Sequence, residues 1–308
     1  MRHLLLLCLY GLIQSVYAQS DAAALAKEAN DSLRTKNFAA ALALINRSID
    51  LDNSVSESYY IRASIKAHME DRKGAHKDLD KVLKAHPEHY GAWVNRGNLY
   101  ASEGRFDEAF AAFDKAEALD SSHPAVFLNR GIAFYKMKHY DAALLYYSKA
   151  ISLNPDDLMA YHFRAECHNY AGNPDLAMTD LENIIRLDSN DWAAKTNLGF
   201  CYITKERYQD AAVIYQMLYS KNSSNPYILS NYGYVKHMLG QTEQGLEMIN
   251  KSLFMMPGNA YAYKYLALIF VAQNDKAKAC EAIEKGLKLG YTAAYGQELL
   301  TLKQTHCP

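Results

Sequence analysis

The 308-residue sequence has no surplus of either charge: 33 lysines and arginines stand against 34 aspartates and glutamates. Nucleic-acid binding through counterion release needs a basic excess, so no nucleic-acid partner is expected. Long apolar runs are missing as well. After the first twenty residues the best candidate, Leu266 to Ala272, is too short to cross a bilayer and follows Lys264. No nucleophile elbow, phosphate loop, zinc-protease helix or paired Cys-x-x-Cys occurs. The chain is therefore expected not to be an enzyme and to carry no cofactor. What is present is 50% hydrophobic and 22% charged, a globular composition with enough apolar material for a sizeable core.

The start of the chain reads Met1-Arg2-His3, an apolar run from Leu4 to Ile13, and then small residues at Val16 and Ala18. A short basic start, a brief apolar stretch and a small-residue cleavage site form the pattern of a secretory signal. Ten apolar residues span only about 15 Å as a helix, half of a bilayer core. Residues 1–18 are therefore expected to be removed near Ala18, with no membrane-spanning segment in the mature chain. The exported protein would begin at Gln19 and act in the periplasm or outside the cell.

A period of 34 residues organises the rest. In eight blocks from Ala22 to Ala293, one column holds Ala29, Ala63, Gly97, Gly131, Ala165, Gly199, Gly233 and Ala267. A second, twelve residues on, holds Ala41, Ala75, Ala109, Ala143, Ala177, Ala211, Gly245 and Ala279. Large apolar residues recur at i, i+3, i+4, i+7, as in Trp93, Gly97, Tyr100 and then Phe106, Ala109, Phe113, so each block predicts two amphipathic helices. Gly104, Gly172, Gly240 and Asn274 mark the turn between them, since these residues tolerate a left-handed conformation. Pro124 and Pro226 open helices where a missing N–H costs nothing. The small columns let the two helices cross at about 8–10 Å. Aromatics fill the space around the crossing: Tyr59, Trp93, Phe127, Tyr161 and Tyr263 in one column, Phe38, Phe106, Tyr140 and Tyr208 in another.

This pattern of an aromatic, a small residue four further on, another aromatic and an alanine at the crossing resembles the tetratricopeptide repeat. Together with the leader it suggests an exported bacterial member of that family. The resemblance covers blocks 22–55, 56–89, 90–123, 124–157, 158–191, 192–225, 226–259 and 260–293 without insertion. It implies an all-α fold, a right-handed α-solenoid of eight helix-turn-helix repeats whose first helices make the concave face. Residues 294–308, with Leu299, Leu300 and Leu302, would form a C-terminal cap. Lys195 replaces the first aromatic of the sixth block, compensated by Trp192 one turn earlier. The first block is polar where aromatics are expected, as at Ser32, which suits a solvent-facing end.

Few residues stand outside this frame. Arg62, Arg96, Arg130 and Arg164 recur at the repeat spacing. Asp78 and Asp180, sixteen residues after Arg62 and Arg164, predict ion pairs within the repeat; Arg96 and Arg130 have Ala112 and Tyr146 there and are the members left for a ligand. His86, His89 and His123 have no carboxylate or cysteine to complete a metal set, so they read as turn histidines. Cys167 and Cys201 sit in equivalent columns about 8–10 Å apart, beyond disulfide reach. Cys280, on the last repeat, and Cys307, in the tail, could form a bridge that export would permit.

Asn95, Asn129, Asn197 and Asn231 form one column of the first helix, interrupted by Phe163. It resembles the asparagines lining the groove in the repeat domain of O-linked N-acetylglucosamine transferase, and it is also a column where asparagine is simply common. It does not resemble the two-carboxylate clamp, whose basic positions are Val94 and Ala125 here. Tyr234 and Tyr265 fall where the concave face is expected and suit a binding surface. Two functions follow: a non-catalytic scaffold that binds a protein or extended peptide in the groove, or an accessory subunit that assembles through its ends or convex face. The sequence leaves partner and oligomeric state open.

Overall fold

The computed structural model describes residues 19–292 and 296–307. The expected signal segment lies outside them. The described residues form 17 helices and no strand. The chain divides into two compact units, one up to Pro155 and one from Asp156. In the first, α1 covers 19–34 and is followed by α2 (Phe38–Leu51), α3 (Ser56–His68), α4 (Arg72–Ala85), α5 (Tyr90–Ser102), α6 (Phe106–Leu119), α7 (Pro124–Lys136) and α8 (Tyr140–Leu153). The second holds α9 (Leu158–Tyr170), α10 (Pro174–Leu187), α11 (Trp192–Thr204), α12 (Tyr208–Lys221), α13 (Pro226–Met238), α14 (Thr242–Met255), α15 (Ala260–Ala272), α16 (Lys276–Lys288) and α17 (Glu298–His306). Each unit is a run of solenoid in which helix pairs stack on one another.

The turn within each pair closes in one way. A residue with positive φ follows the first helix at Lys36, Glu70, Gly104, Lys138, Gly172, Glu206, Gly240 and Asn274. The next N–H then reaches back to a carbonyl five residues earlier, as Arg105 does to Tyr100 and Gln241 to Lys236, the closure that satisfies the last carbonyls of a helix. Helix starts are fixed by side chains that accept from backbone N–H groups: Asn37, Asp71, Asp157, Asp191, Asn225, Asn259 and Asp275, with proline at the first position of α7, α10 and α13.

The crossing residues choose their partners by volume. A Cβ on Gly97, Gly131 or Gly199 would lie 2.3, 2.6 or 2.9 Å from the rings of Phe113, Tyr147 and Tyr215. Where the crossing residue is alanine (Ala29, Ala63, Ala165, Ala267), the partner sixteen residues on is aliphatic: Ile45, Leu79, Leu181 or Ile283. Removing one Cβ makes room for a ring, and burying each such ring contributes about 1.5–3 kcal/mol. The α13–α14 pair takes a third solution: both residues are glycine, and a Cβ on Gly233 would lie 2.6 Å from the Gly245 carbonyl oxygen.

The expected compensation at Lys195 does not occur. Trp192 stays 43% exposed, with the Lys195 ammonium 4.9 Å over its ring and bonded to the Ser189 carbonyl. Trp192 is the first residue of α11, so its side chain lies beyond the helix crossing. At the C-terminus Cys280 and Cys307 are joined by a disulfide with a Cα separation of 5.7 Å. Leu299 of α17 is fully buried and lies over Gly286. Cys167 and Cys201 are buried free thiols. No helix among the described residues is long and apolar enough to cross a membrane.

Candidate functional site

Successive first helices touch at α3 with α5 and α5 with α7 in the first unit, and at α11 with α13 and α13 with α15 in the second. This puts first helices on the closely packed, inner side of the stack. In the second unit the inner face is concave, because Phe200 of α11 and Tyr261 of α15 meet across α13 with ring centroids 5.6 Å apart.

The asparagine column lies on this side, and its members are spent differently. Asn95 and Asn129 belong to the first unit. The Asn95 amide donates to the Ser64 hydroxyl in the preceding repeat. The Asn129 amide donates to the Ala125 carbonyl of its own helix. Asn231 accepts from the Tyr265 hydroxyl at 2.9 Å. Asn197 alone of the four is exposed. Phe163, in the same column, is half-buried.

Tyr265 requires a correction: it was expected on an open surface and is only 1% exposed. It falls in the asparagine column, 34 residues after Asn231, and Tyr234 stacks on it at 4.3 Å. Tyr261 packs edge-on against it and Tyr208 against Tyr234. Phe200, Tyr261, Tyr265, Tyr234 and Tyr208 thus form an aromatic pile filling the inner face over α13. Burial pushes the Tyr234 and Tyr265 hydroxyls well above the ordinary tyrosine range, so both stay neutral.

Arg96 and Arg130 are corrected too. Neither is left for a ligand: Arg96 pairs with Asp80, and Arg130 with Asp114 at 2.8 Å and Glu117 at 3.1 Å. Asp80 and Asp114 lie sixteen residues before their arginines, on the second helix of the preceding repeat, and Glu117 follows Asp114 on the same helix. The forward pairs are present as well, Arg62 with Asp78 and Arg164 with Asp180, each through two guanidinium nitrogens. Arg62 also reaches back to Asn46. A guanidinium in this column sits between two second helices, so the sequence signal for its partner was an offset of sixteen in either direction.

The turn histidines act as helix caps. His89 accepts from the Ala92 N–H and His123 from the Ala125 N–H, each through Nδ1, with Tyr60 and Tyr90 against their rings. Among the described residues no group of three or more His, Cys, Asp or Glu is placed to hold a metal ion.

A second inner-face column was not singled out from the sequence. The second residues of α9, α11, α13 and α15 are Met159, Ala193, Tyr227 and Tyr261; those of α3, α5 and α7 are Glu57, Gly91 and Ala125. Met159 and Tyr227 are 56% and 52% exposed and Ala193 is exposed. Asn197 follows Ala193 by one turn on the same side. Among the described residues, the uncovered apolar row beside an uncommitted amide therefore belongs to the second unit.

Models of the tetratricopeptide repeat match residues 124–157 and residues 62–124 and 168–226, together half of the chain. The chain is similar to U-box domain-containing protein 70 of Oryza sativa subsp. japonica, 28% identical over 130 residues, which are 42% of this chain and 16% of that protein. Among solved structures, a tetratricopeptide repeat protein from Parabacteroides merdae matches at a TM-score of 0.63 with 19% identity, over 81% of this chain and 98% of that one. YrrB, a tetratricopeptide repeat protein with an unusual peptide-binding site, matches at 0.52 with 22% identity, over 60% and 95%. At these identities the likeness is one of fold. The repeating helix pairs, their small crossing columns and the matching models lead to one conclusion: the chain belongs to the tetratricopeptide-repeat family, whose members are typically non-catalytic scaffolds that bind proteins and peptides.

Proposed function

We propose that the inner face of the second unit binds an extended peptide segment of a partner protein. The observation that carries this reading is the exposed row Met159, Ala193 and Tyr227 with Asn197 beside it, ending at the aromatic pile. Successive first helices stand about 10 Å apart, and three residues of extended chain also span about 10 Å. Every third side chain of a bound strand would then meet a residue of the row. Asn197 offers a paired donor and acceptor to the strand backbone. The peptide-binding site of YrrB supports placing the function on this fold. Charges are few along the row, so the preferred ligand side chains are apolar.

In the same reading the protein is exported. Support comes from the leader-like start and from the Cys280–Cys307 disulfide, a bond that persists in oxidising compartments. An N-terminal sequence of the mature protein that begins at Gln19 is the expected result.

A randomised peptide array probed with the protein tests the site. Peptides with apolar residues three apart should be retained, and Asn197→Ala combined with Tyr227→Ala should weaken them about tenfold or more, the combined worth of one hydrogen bond and one apolar contact. Asn129→Ala should change nothing, because its amide already bonds its own helix. Unchanged retention by a folded double variant would place binding elsewhere.

A further inference from the structure

We propose that the Cys280–Cys307 disulfide is a redox-operated lock on α17, and that its release loosens the aromatic pile on the inner face. α17 has nine residues, too few to persist as a helix without packing. Leu299 is its only fully buried anchor; Leu302 and Cys307 are half-buried. Its remaining attachments are polar: Glu298 to Lys264 at 2.7 Å and Lys303 to Glu284 at 3.6 Å, the latter pair exposed. The disulfide therefore carries a large share of the docking.

Contacts run from this helix to the pile without a gap. Glu298 holds the Lys264 ammonium, which lies 4.8 Å over the Tyr261 ring and 5.9 Å from that of Tyr265. The Tyr291 hydroxyl also bonds Glu298, and the Tyr291 ring lies 5.8 Å from Tyr261. Tyr261 in turn touches Phe200 and Tyr265. Departure of α17 removes the carboxylate that positions Lys264 and Tyr291, and with them the support on one side of Tyr261.

The chemistry needs an external dithiol reductant. One of its thiolates attacks one sulfur of the bond, forming a mixed disulfide and releasing the other cysteine as a thiolate. Its second thiolate then displaces the remaining cysteine. The products are two cysteine thiols, after protonation, and an oxidised dithiol, two electrons having moved to the protein. That the loosened face would be more open to a ligand rests on the peptide-binding reading above; the lock itself does not.

Hydrogen exchange of the full chain, followed by mass spectrometry, reads the lock directly with dithiothreitol as reductant and Cys307→Ser as a reductant-free counterpart. Closing a 27-residue separation favours docking by roughly a hundredfold. Amide protection in α17 should fall by about that factor in both samples, and nitration of Tyr261 by tetranitromethane should speed up several-fold. α5 and α7 should keep their protection. Unchanged α17 protection and Tyr261 nitration in both samples would overturn the proposal. So would an equal loss of protection across α9–α17, which would make the bond a staple of the whole unit. Array binding on the same samples separates this from the peptide-binding reading: a lock that opens without changing retention contradicts only the second.

Discussion

The repeats up to α9–α10 and those from α11 on share one frame and fill it with different chemistry. In the residue before the small crossing position, α3, α5, α7 and α9 carry Arg62, Arg96, Arg130 and Arg164, each tied to a carboxylate of a second helix. From α11 on the same column holds Leu198, Tyr232 and Leu266, all buried. The repeats up to α9–α10 are thus pinned by bidentate or bridging ion pairs, and those from α11 on by apolar contact and a disulfide. Partly buried pairs and well-packed apolar residues are often close to equivalent in stability. Inner-face aromatics collect where the arginines stop.

The largest expected effects test that division. Asp78 is 2% exposed and is held by Arg62 and Lys66 at 2.7 and 2.8 Å. Asp78→Ala should cost about 3 kcal/mol, since it strands two cations at a half-buried site. Leu198→Ala should cost a similar amount, about 2–3 kcal/mol, by leaving a cavity. The two should part with pH. Burial alone would raise the Asp78 carboxyl, but its hydrogen bonds from Arg62 and Lys66 and their charges outweigh burial and hold it below the ordinary range. A carboxyl lowered by folding contributes stability above the unfolded value, about pH 3.9, and loses it as pH falls through the lower folded value. Urea melts from pH 7 to 3 should show the Asp78→Ala penalty shrinking below about pH 4 while the Leu198→Ala penalty stays constant. Parallel penalties would break the comparison.

The crossings give the next largest effect. Gly131→Ala presses a Cβ into the Tyr147 ring at 2.6 Å and should cost about 2 kcal/mol. Adding Tyr147→Leu should recover at least 1 kcal/mol relative to additivity, because Ala63 with Leu79 and Ala165 with Leu181 already pack that way. Gly233→Ala meets backbone instead. It should cost as much and resist rescue by Ile249→Ala. Rescue there would mean that α13 and α14 approach no more closely than the other pairs need.

Much of the fold was legible because geometry repeats: small residues stand at the crossing in every block, and glycine or proline at a turn has one cause wherever it occurs. What each repeated side chain bonds was not legible, since the partner belongs to a neighbouring repeat. Asn95 is spent on Ser64 and Asn231 on Tyr265, 31 and 34 residues away. Arg96 and Arg130 look unpartnered only when the offset of sixteen is read forward. Tyr265 looks like a surface tyrosine until the concavity of its own unit folds Tyr234 and Tyr261 over it. The apolar row at Met159, Ala193 and Tyr227 escaped notice because no residue type repeats in it; only its position does.

The smallest effect concerns the turns, where the two kinds of residue separate backbone cost from contact. Glycine holds the left-handed position at Gly104, Gly172 and Gly240, whereas Lys36, Glu70, Lys138 and Glu206 hold it at φ of 57–61°. The helix closure imposes this conformation whatever the side chain, since the N–H three residues past the helix end must reach back. A Cβ there costs about 1–2 kcal/mol, offset in part by the greater unfolded freedom of glycine. Lys138→Gly should therefore stabilise the first unit by about 0.5–1 kcal/mol. Gly172→Ala should destabilise the second by about 1 kcal/mol, with no steric contribution, because a Cβ at Gly172 meets nothing within 4 Å. Each shift is about 2–4 °C in Tm for a unit of this size, and calorimetry resolves it. Opposite signs would show that the turns of both units are strained alike, so that the difference between the units resides in side chains alone. A destabilising Lys138→Gly would instead mean that the lysine side chain contributes more than its backbone costs.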